Sequence, residues 1–268
     1  TLSDVRGMID TCCRAADIRP EAISAMTVGG NTTMLHFFLG CDPWQVFQSP
    51  YTPVFFDPGI LRASELGLPI SGNVFCMPAI ANYLGGDITS GLLMTDLDTR
   101  EDLALFLDIG TNGEMALGNE SDALCCAVAS GPAFEGAGIS CGMPGITGAV
   151  SHVSYDRGFL CDIVGEGEAK GICGSGLVDL VAVLLERGVI DESGRLLPPQ
   201  DAPEDMRRYL TEDGQGNGVF HLTKAVSLTA RDVRNLQLAK AAVAGGIRVL
   251  LEQRGVTADD IASVELAG

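Results

Sequence analysis

LALFLDIGTNGEMALG, residues 103–118, is the stretch whose reading decides the fold. An apolar run, Leu103 to Leu107, ends in Asp108. Ile109, Gly110, Thr111, Asn112, Gly113 and Glu114 follow, and then a second apolar run. Asn-Gly between two such runs is a strong hairpin signal, so the stretch predicts strand, tight turn at Asn112-Gly113, strand. Gly110 and Gly113 let the backbone approach a ligand closely. The turn amides and the Thr111 hydroxyl are donors suited to phosphate oxygens. Asp108 cannot hold a phosphate itself, because like charges repel. The task open to it is to hold Mg²⁺, directly or through water, with the metal bridging to phosphate. The competing reading is an ordinary Asn-Gly hairpin with a solvated aspartate at its mouth.

The composition around this hairpin excludes several classes. The 268 residues suffice for one large or two medium domains with a proper core. Apolar residues make up 46%, and the 34 glycines suit a loop-rich α/β protein. With 17 basic against 35 acidic residues the net charge is -18, which leaves no basic surface for nucleic acid. No run reaches the ~18 apolar residues of a membrane span, and residues 1–17 are polar-periodic rather than leader-like. A cytoplasmic chain is expected, with no membrane partner. The nine cysteines are odd in number and none forms a Cys-x-x-Cys pair, as in reduced thiols rather than a disulfide or cluster framework. The three histidines have no metal-ligand spacing to one another, and His36 reads as a packed core residue.

Along the chain, residues 2–16 predict an amphipathic helix and residues 23–28 a strand broken by Gly29-Gly30. Asn31 is placed to cap a helix over 32–39 that Gly40 ends. Residues 42–71, rich in Pro and aromatics, predict an irregular segment whose aromatic side chains pack inward. A short strand over 74–77 and a helix over 88–94 follow, with Asp87 as the helix N-cap. Residues 96–102, DLDTRED, form a charged break and a natural boundary. After the hairpin, a strand over 123–129 turns at Ser130-Gly131-Pro132 into a short helix, where Glu135 either caps or faces a ligand. Strands are expected over 148–154 and 159–164. Gly174-Ser175-Gly176 opens a helix running to Arg187, a turn suited either to phosphate or to close packing. Residues 196–218 predict a mobile excursion. Thr229 and Asp232 resemble a capping box at the start of a helix that Gly255 ends, and residues 262–266 predict a final buried strand.

Six blocks in order, GNTTMLHFFLG (30–40), LGGDI (84–88), DIGTNGE (108–114), SGPAFEGA (130–137), CGSGL (173–177) and LQLAKAAVAGGI (236–247), resemble the ATP-binding fold shared by sugar kinases, Hsp70 and actin. They are more closely similar to the ATPase domain of the reductive activators of corrinoid proteins. The resemblance implies an α/β, actin/Hsp70/sugar-kinase-like (ribonuclease H-like) fold of two subdomains. Residues 1–98 would be the remainder of the first, and residues 99–268 the second, with the phosphate-binding hairpin. It implies ATP and Mg²⁺ as cofactors. Asp108 would be the metal-holding and catalytic carboxylate. Asp87 would be a second catalytic carboxylate near the terminal phosphate, orienting water or helping to hold Mg²⁺. Gly110, Thr111, Asn112, Gly113, Gly131, Glu135, Gly174, Ser175, Gly176 and Gly268 would contact the nucleotide.

By the same resemblance, ATP-driven conformational change passes a low-potential electron to an inactive Co(II) corrinoid. The implied partners are a corrinoid protein and an electron donor, and a homodimer is left open. The family's first phosphate hairpin, with its DIGTTT-like sequence, and its iron-sulfur ferredoxin-like domain have no counterpart before Gly30. The adenosine loop would begin at Gly268. The sequence therefore reads as a piece truncated at both ends, in which the iron-sulfur cluster would belong to a preceding domain. Three alternatives compete. A small-molecule kinase of the same superfamily would have only Asp87 as its base. An activator of 2-hydroxyacyl-CoA dehydratases would carry Cys where Val128 stands. The third is a non-enzymatic interaction module.

Overall fold

A computed structural model describes residues 2–268. The chain forms two compact units. One comprises the residues up to Asp108 with 114–127 and 250–267; the other comprises 109–113, 128–249 and Gly268.

In the first unit, helix α1 (Leu2–Ala16) lays Leu2, Val5 and Ile9 against a core of Leu35, Phe38, Val74 and Cys76. Strand β1 (Ala25–Val28) runs into helix α2 (Thr32–Phe38), where the Asn31 side chain accepts the Met34 amide at 2.9 Å, the expected cap. Residues 42–71 are not wholly irregular: they hold a single-turn helix α3 (Trp44–Phe47) and strand β2 (Ile60–Arg62). Their aromatic side chains, expected to pack inward, lie largely on the surface, with Trp44, Phe47, Tyr51 and Phe56 exposed. Strand β3 (Asn73–Cys76) pairs parallel with β1 and antiparallel with β2. His36 is fully buried; its Nδ1 lies 2.7 Å from the Thr32 carbonyl, and its Nε2 accepts the Val54 amide at 3.0 Å.

Helix α4 (Gly86–Met94) begins where Gly85 and Gly86 leave no room for side chains. A Cβ at Gly85 would lie 2.5 Å from the Asn31 Cα, and one at Gly86 2.8 Å from the Met77 carbonyl oxygen. Further along, a Cβ at Gly91 would lie 2.1 Å from the Phe106 ring, so glycine lets α4 lie directly on β4 (Ala104–Ile109). The N-cap is Gly85, not Asp87. Asp87 sits in the first turn with Oδ1 accepting the Ile88 amide at 2.9 Å.

Strands β4, β5 (Gly113–Gly118), β6 (Ala123–Val128) and β13 (Ser263–Ala267) form a sheet in the order β13-β4-β5-β6, with β13 parallel to β4. The predicted hairpin is present, but its turn is Gly110-Thr111-Asn112, closed by the Gly110 amide donating to the Asn112 carbonyl at 2.9 Å. Gly113 already belongs to β5 and has no positive φ. Its small size serves packing: a Cβ there would lie 2.9 Å from Val128 Cγ2. The final strand is not buried as predicted. It is a sheet edge, with Val264 53% and Leu266 69% exposed.

The second unit packs helix α5 (Gly174–Glu186) on strand β7 (Ala149–Tyr155), which pairs with β8 (Phe159–Ile163) and β9 (Gly171–Ile172). Strands β10 (Leu210–Glu212), β11 (Gly218–His221) and β12 (Ser227–Thr229) make an antiparallel sheet. Helix α6 (Ala230–Arg254) follows it. Residues 196–218 are not a mobile excursion. Leu196, Ala202, Met206 and Leu210 are buried in this unit's core, and residues 204–209 form a 3₁₀ turn. Thr229 and Asp232 form the predicted reciprocal cap: Thr229 donates from N and Oγ1 to the carboxylate at 2.9 and 2.7 Å, and the Asp232 amide donates back at 3.3 Å.

Candidate functional site

Asp108 stands at the end of β4, a run of buried apolar residues that carries the carboxylate to a half-buried position. Within the same unit, Asp87 is brought towards it by the glycine-permitted start of α4. Burial first, and the Asp87 negative charge second, raise the Asp108 carboxyl above the usual aspartate value. Neither cause is a cation. Two partly desolvated carboxylates of like charge cost free energy, and a hard divalent cation offsets it. The oxygen donors suit Mg²⁺, which typically takes one or two carboxylates and completes its octahedron with water and phosphate. Among the described residues no group of three or more His, Cys, Asp or Glu side chains could hold a metal. The pair therefore fits Mg²⁺ held jointly with a phosphate, and does not fit a metal caged by protein alone.

The turn after Asp108 belongs to the second unit and is clamped there to residues 130–135. The Thr111 hydroxyl donates to Glu135 Oε2 at 2.5 Å, and the Gly131 amide donates to the Thr111 carbonyl at 3.0 Å. The Ser130 hydroxyl lies 3.1 and 3.3 Å from the carbonyls of Gly110 and Thr111. The Gly110 amide and the Thr111 hydroxyl, read from sequence as phosphate donors, are thus held internally here. The clamp orients Glu135. Ser130 is the residue that sequence reading used only as a turn-former; a hydroxyl beside a glycine of positive φ, 20 residues after the hairpin, carries no local signal of such a bond. Gly131 has φ 76 and ψ 166, a conformation open to glycine alone.

Glu135 and Gly174 come together in one cavity of about 360 Å³, lined also by Phe134, Met143, Pro144 and Cys173. Gly131 lines another of about 240 Å³, with Pro132, Gly138, Asn235 and Leu238. The glycines opening α5 have steric reasons. A Cβ at Gly174 would lie 1.7 Å from the Phe134 carbonyl oxygen, and one at Gly176 2.3 Å from that of Val150. All three residues 174–176 lie inside the helix, and the Ser175 hydroxyl donates to the Ser151 carbonyl at 2.8 Å. Gly268 packs its Cα against Ile109, where a Cβ would meet the carbonyl oxygen at 2.3 Å. All nine cysteines are thiols, and burial pushes those of Cys125 and Cys126 up, towards the protonated form that is a poor metal ligand. The cysteines present do not fit an iron-sulfur cluster.

Comparison with known proteins gives a consistent picture. Residues 102–268 match the family described as the C-terminal domain of RACo, the ASKHA domain, and residues 1–100 match the RACo middle region. A corrinoid activation enzyme, RamQ, of Eubacterium limosum is 33% identical over 281 residues, covering 100% of this chain and 46% of that protein. A [Co(II) methylated amine-specific corrinoid protein] reductase of Methanosarcina barkeri is 28% identical over 79% of this chain and 41% of its own length. Among solved structures, a reductive activator for corrinoid, iron-sulfur protein superposes with a TM-score of 0.88 at 38% identity, over 100% of this chain and 44% of that one. The chain thus spans about half the length of the relatives it matches.

Proposed function

The chain belongs to the RACo family, whose middle region and C-terminal ASKHA domain it carries, and on that premise we propose that it is the nucleotide-binding part of a reductive activator of corrinoid proteins. The whole protein uses ATP hydrolysis to drive a low-potential electron from a donor onto the Co(II) of a corrinoid protein. Residues 1–98 are the remainder of the first ATPase subdomain and residues 99–268 the second. The names of the relatives, an activation enzyme, a reductase and a reductive activator, support this assignment.

The observation that carries it is the placement of Asp108, half-buried near the end of β4 just before the Gly110–Asn112 turn, with Asp87 in the first turn of α4. Mg²⁺, when bound, supplies neutralisation of phosphate charge there. Asp108 would hold the ion, and Asp87 would share it or orient a water. The backbone of residues 110–113, with Gly131, would contact the phosphates. Glu135, positioned by Thr111, reaches the ribose hydroxyls or metal-bound water. Gly174, Ser175, Gly176 and Gly268 border the nucleoside. Nucleotide-driven closure supplies the work that an uphill electron transfer lacks. The iron-sulfur cluster of such a protein belongs outside this chain, and the protein works in the cytoplasm.

The test is made on the full-length protein. ATP hydrolysis should be slow alone and faster with a Co(II) corrinoid protein, whose reduction is followed by its visible spectrum. Asp108→Asn should lower hydrolysis by on the order of a hundredfold, the scale of one preorganised electrostatic contact. Stoichiometric transfer of phosphate to a sugar or acid would overturn this reading in favour of a kinase.

A further inference from the structure

The 110–112 turn has side-chain and backbone donors to offer a phosphate, and the fold has engaged two of them. The Thr111 hydroxyl donates to Glu135 Oε2, and the Gly110 amide donates to the Asn112 carbonyl. The backbone carries two more, the amides of Thr111 and Asn112. Their direction follows from the carbonyls that precede them. Among the described residues the cis peptide bond is Ser49-Pro50, so both peptide units here are trans and planar, each with N–H opposite C=O. The carbonyls of Gly110 and Thr111 turn to a single atom: the Ser130 hydroxyl lies 3.1 Å from the first and 3.3 Å from the second. The Gly131 amide donates to the second at 3.0 Å. The amides of Thr111 and Asn112 therefore point away from residues 130–131, on one side of the turn. Ser130 is 6% exposed, whereas Thr111 is exposed and Asn112 half-buried, so that side is the outer one. Successive N–H groups turned to one side form an anion-binding concavity.

The two carbonyls differ in how they are held. Without the hydroxyl, the Thr111 carbonyl would keep the Gly131 amide, but the Gly110 carbonyl would lose its contact with residue 130. The peptide unit between Gly110 and Thr111 is the one that can turn over. Glycine accepts either backbone conformation, and even a Cβ at Gly110 would meet nothing nearer than 3.7 Å. The turned unit would put a carbonyl oxygen where the Thr111 N–H had been, and an oxygen dipole repels phosphate.

We propose that Ser130 is a positioning residue of the phosphate site: by holding the carbonyls of Gly110 and Thr111 inward, its hydroxyl presents the amides of Thr111 and Asn112 to a polyphosphate. This rests on the nucleotide-binding reading above. The experiment uses the full-length protein and three probes, Mg-ATP, Mg-tripolyphosphate and adenosine, with affinities from calorimetry and the melting temperature of the unliganded protein alongside. Ser130→Ala should weaken Mg-ATP and Mg-tripolyphosphate by the same factor, roughly tenfold, the scale of one hydrogen bond to a charged group. Adenosine affinity should be unchanged. Ser130→Cys is close to serine in size but a weak donor, and should match Ser130→Ala.

If the wild type binds neither Mg-ATP nor Mg-tripolyphosphate, the functional reading and this inference fall together. Binding by the wild type with unchanged tripolyphosphate affinity in Ser130→Ala overturns this inference alone. So does wild-type affinity in Ser130→Cys, which would assign the Ala effect to lost packing. An equal loss for adenosine and tripolyphosphate, with a lower melting temperature, would also overturn it and leave Ser130 a role in the fold only.

Discussion

Asp108 is the residue at which stability and function pull in opposite directions. Its carboxyl is raised in the fold, so the charged form is disfavoured relative to the unfolded chain. Below the unfolded value of about 3.9 the group is protonated in both states and costs nothing. The destabilisation sets in as pH rises above that value, is complete once pH passes the raised folded value, and persists at neutrality. Asp108→Asn should therefore leave the melting temperature at pH 7 unchanged or higher without Mg²⁺, with the gain shrinking towards pH 4. A marked fall in melting temperature would show that the carboxylate serves the fold rather than a ligand. Two glycines separate the reasons for that residue type. Gly131 has open space around its Cα but φ 76, so Gly131→Ala should cost about 1–3 kcal/mol through backbone strain. Gly113 has ordinary φ but Val128 in the way, so Gly113→Ala should cost about 1–3 kcal/mol through overpacking. Denaturant midpoints check both. The sequence reading placed the tight turn at Asn112-Gly113 and gave Gly113 a close approach to a ligand, because Asn-Gly between apolar runs is a hairpin signal; the conflict with Val128 Cγ2 exists only after the strands are placed.

At the scale of elements, what could be read ahead were features with a local physical cause. The 2–16 helix follows from its periodicity, the Asn31 cap from a side chain within reach of its own helix, and the Thr229–Asp232 box from spacing. Elements were misread where long-range packing overrides local composition. Pro, Asp and Gly in 196–218 suggested mobility, yet Met206 is fully buried and the segment completes a core. Residues 262–266 look like any buried strand, but lie at a sheet edge that no local pattern announces. Asp87 looks like a cap until Gly85 takes that position for steric reasons. The start of α6 shows how much one local feature can anchor. Asp232 is fully buried and, besides Thr229, accepts the Ser140 amide at 2.8 Å and its hydroxyl at 3.1 Å. Asp232→Ala would leave several part-buried donors without their acceptor and should destabilise the second unit by about 1–3 kcal/mol. Asp232→Asn, which keeps acceptor oxygen in place, should cost less. Equal stability of the Ala variant and the wild type in urea would refute the anchoring role.

For the molecule as a whole, 35 acidic against 17 basic residues produce a diffuse repulsion, and the Asp87–Asp108 pair adds a local one. The two respond differently to ions. Monovalent salt screens the diffuse term, because the Debye length falls from about 30 Å at 0.01 M to about 8 Å at 0.15 M, so NaCl alone should raise the melting temperature. A divalent ion held at the pair stabilises by mass action, RT ln(1 + [L]/Kd). For a dissociation constant of about 1 mM, typical of a weak carboxylate site, 10 mM Mg²⁺ would contribute about 1.4 kcal/mol, or roughly 3–6 °C. The comparison is therefore MgCl₂ against NaCl at equal ionic strength, in the wild type, Asp87→Asn and Asp108→Asn, read by calorimetry. The NaCl response should be nearly the same in all three, since one charge in eighteen is a small part of the diffuse field. The additional Mg²⁺ response should be present in the wild type and lost in both variants. An equal Mg²⁺ increment in all three proteins would mean that the ion acts on the acidic surface at large, and that the pair holds no Mg²⁺ in the absence of a phosphate.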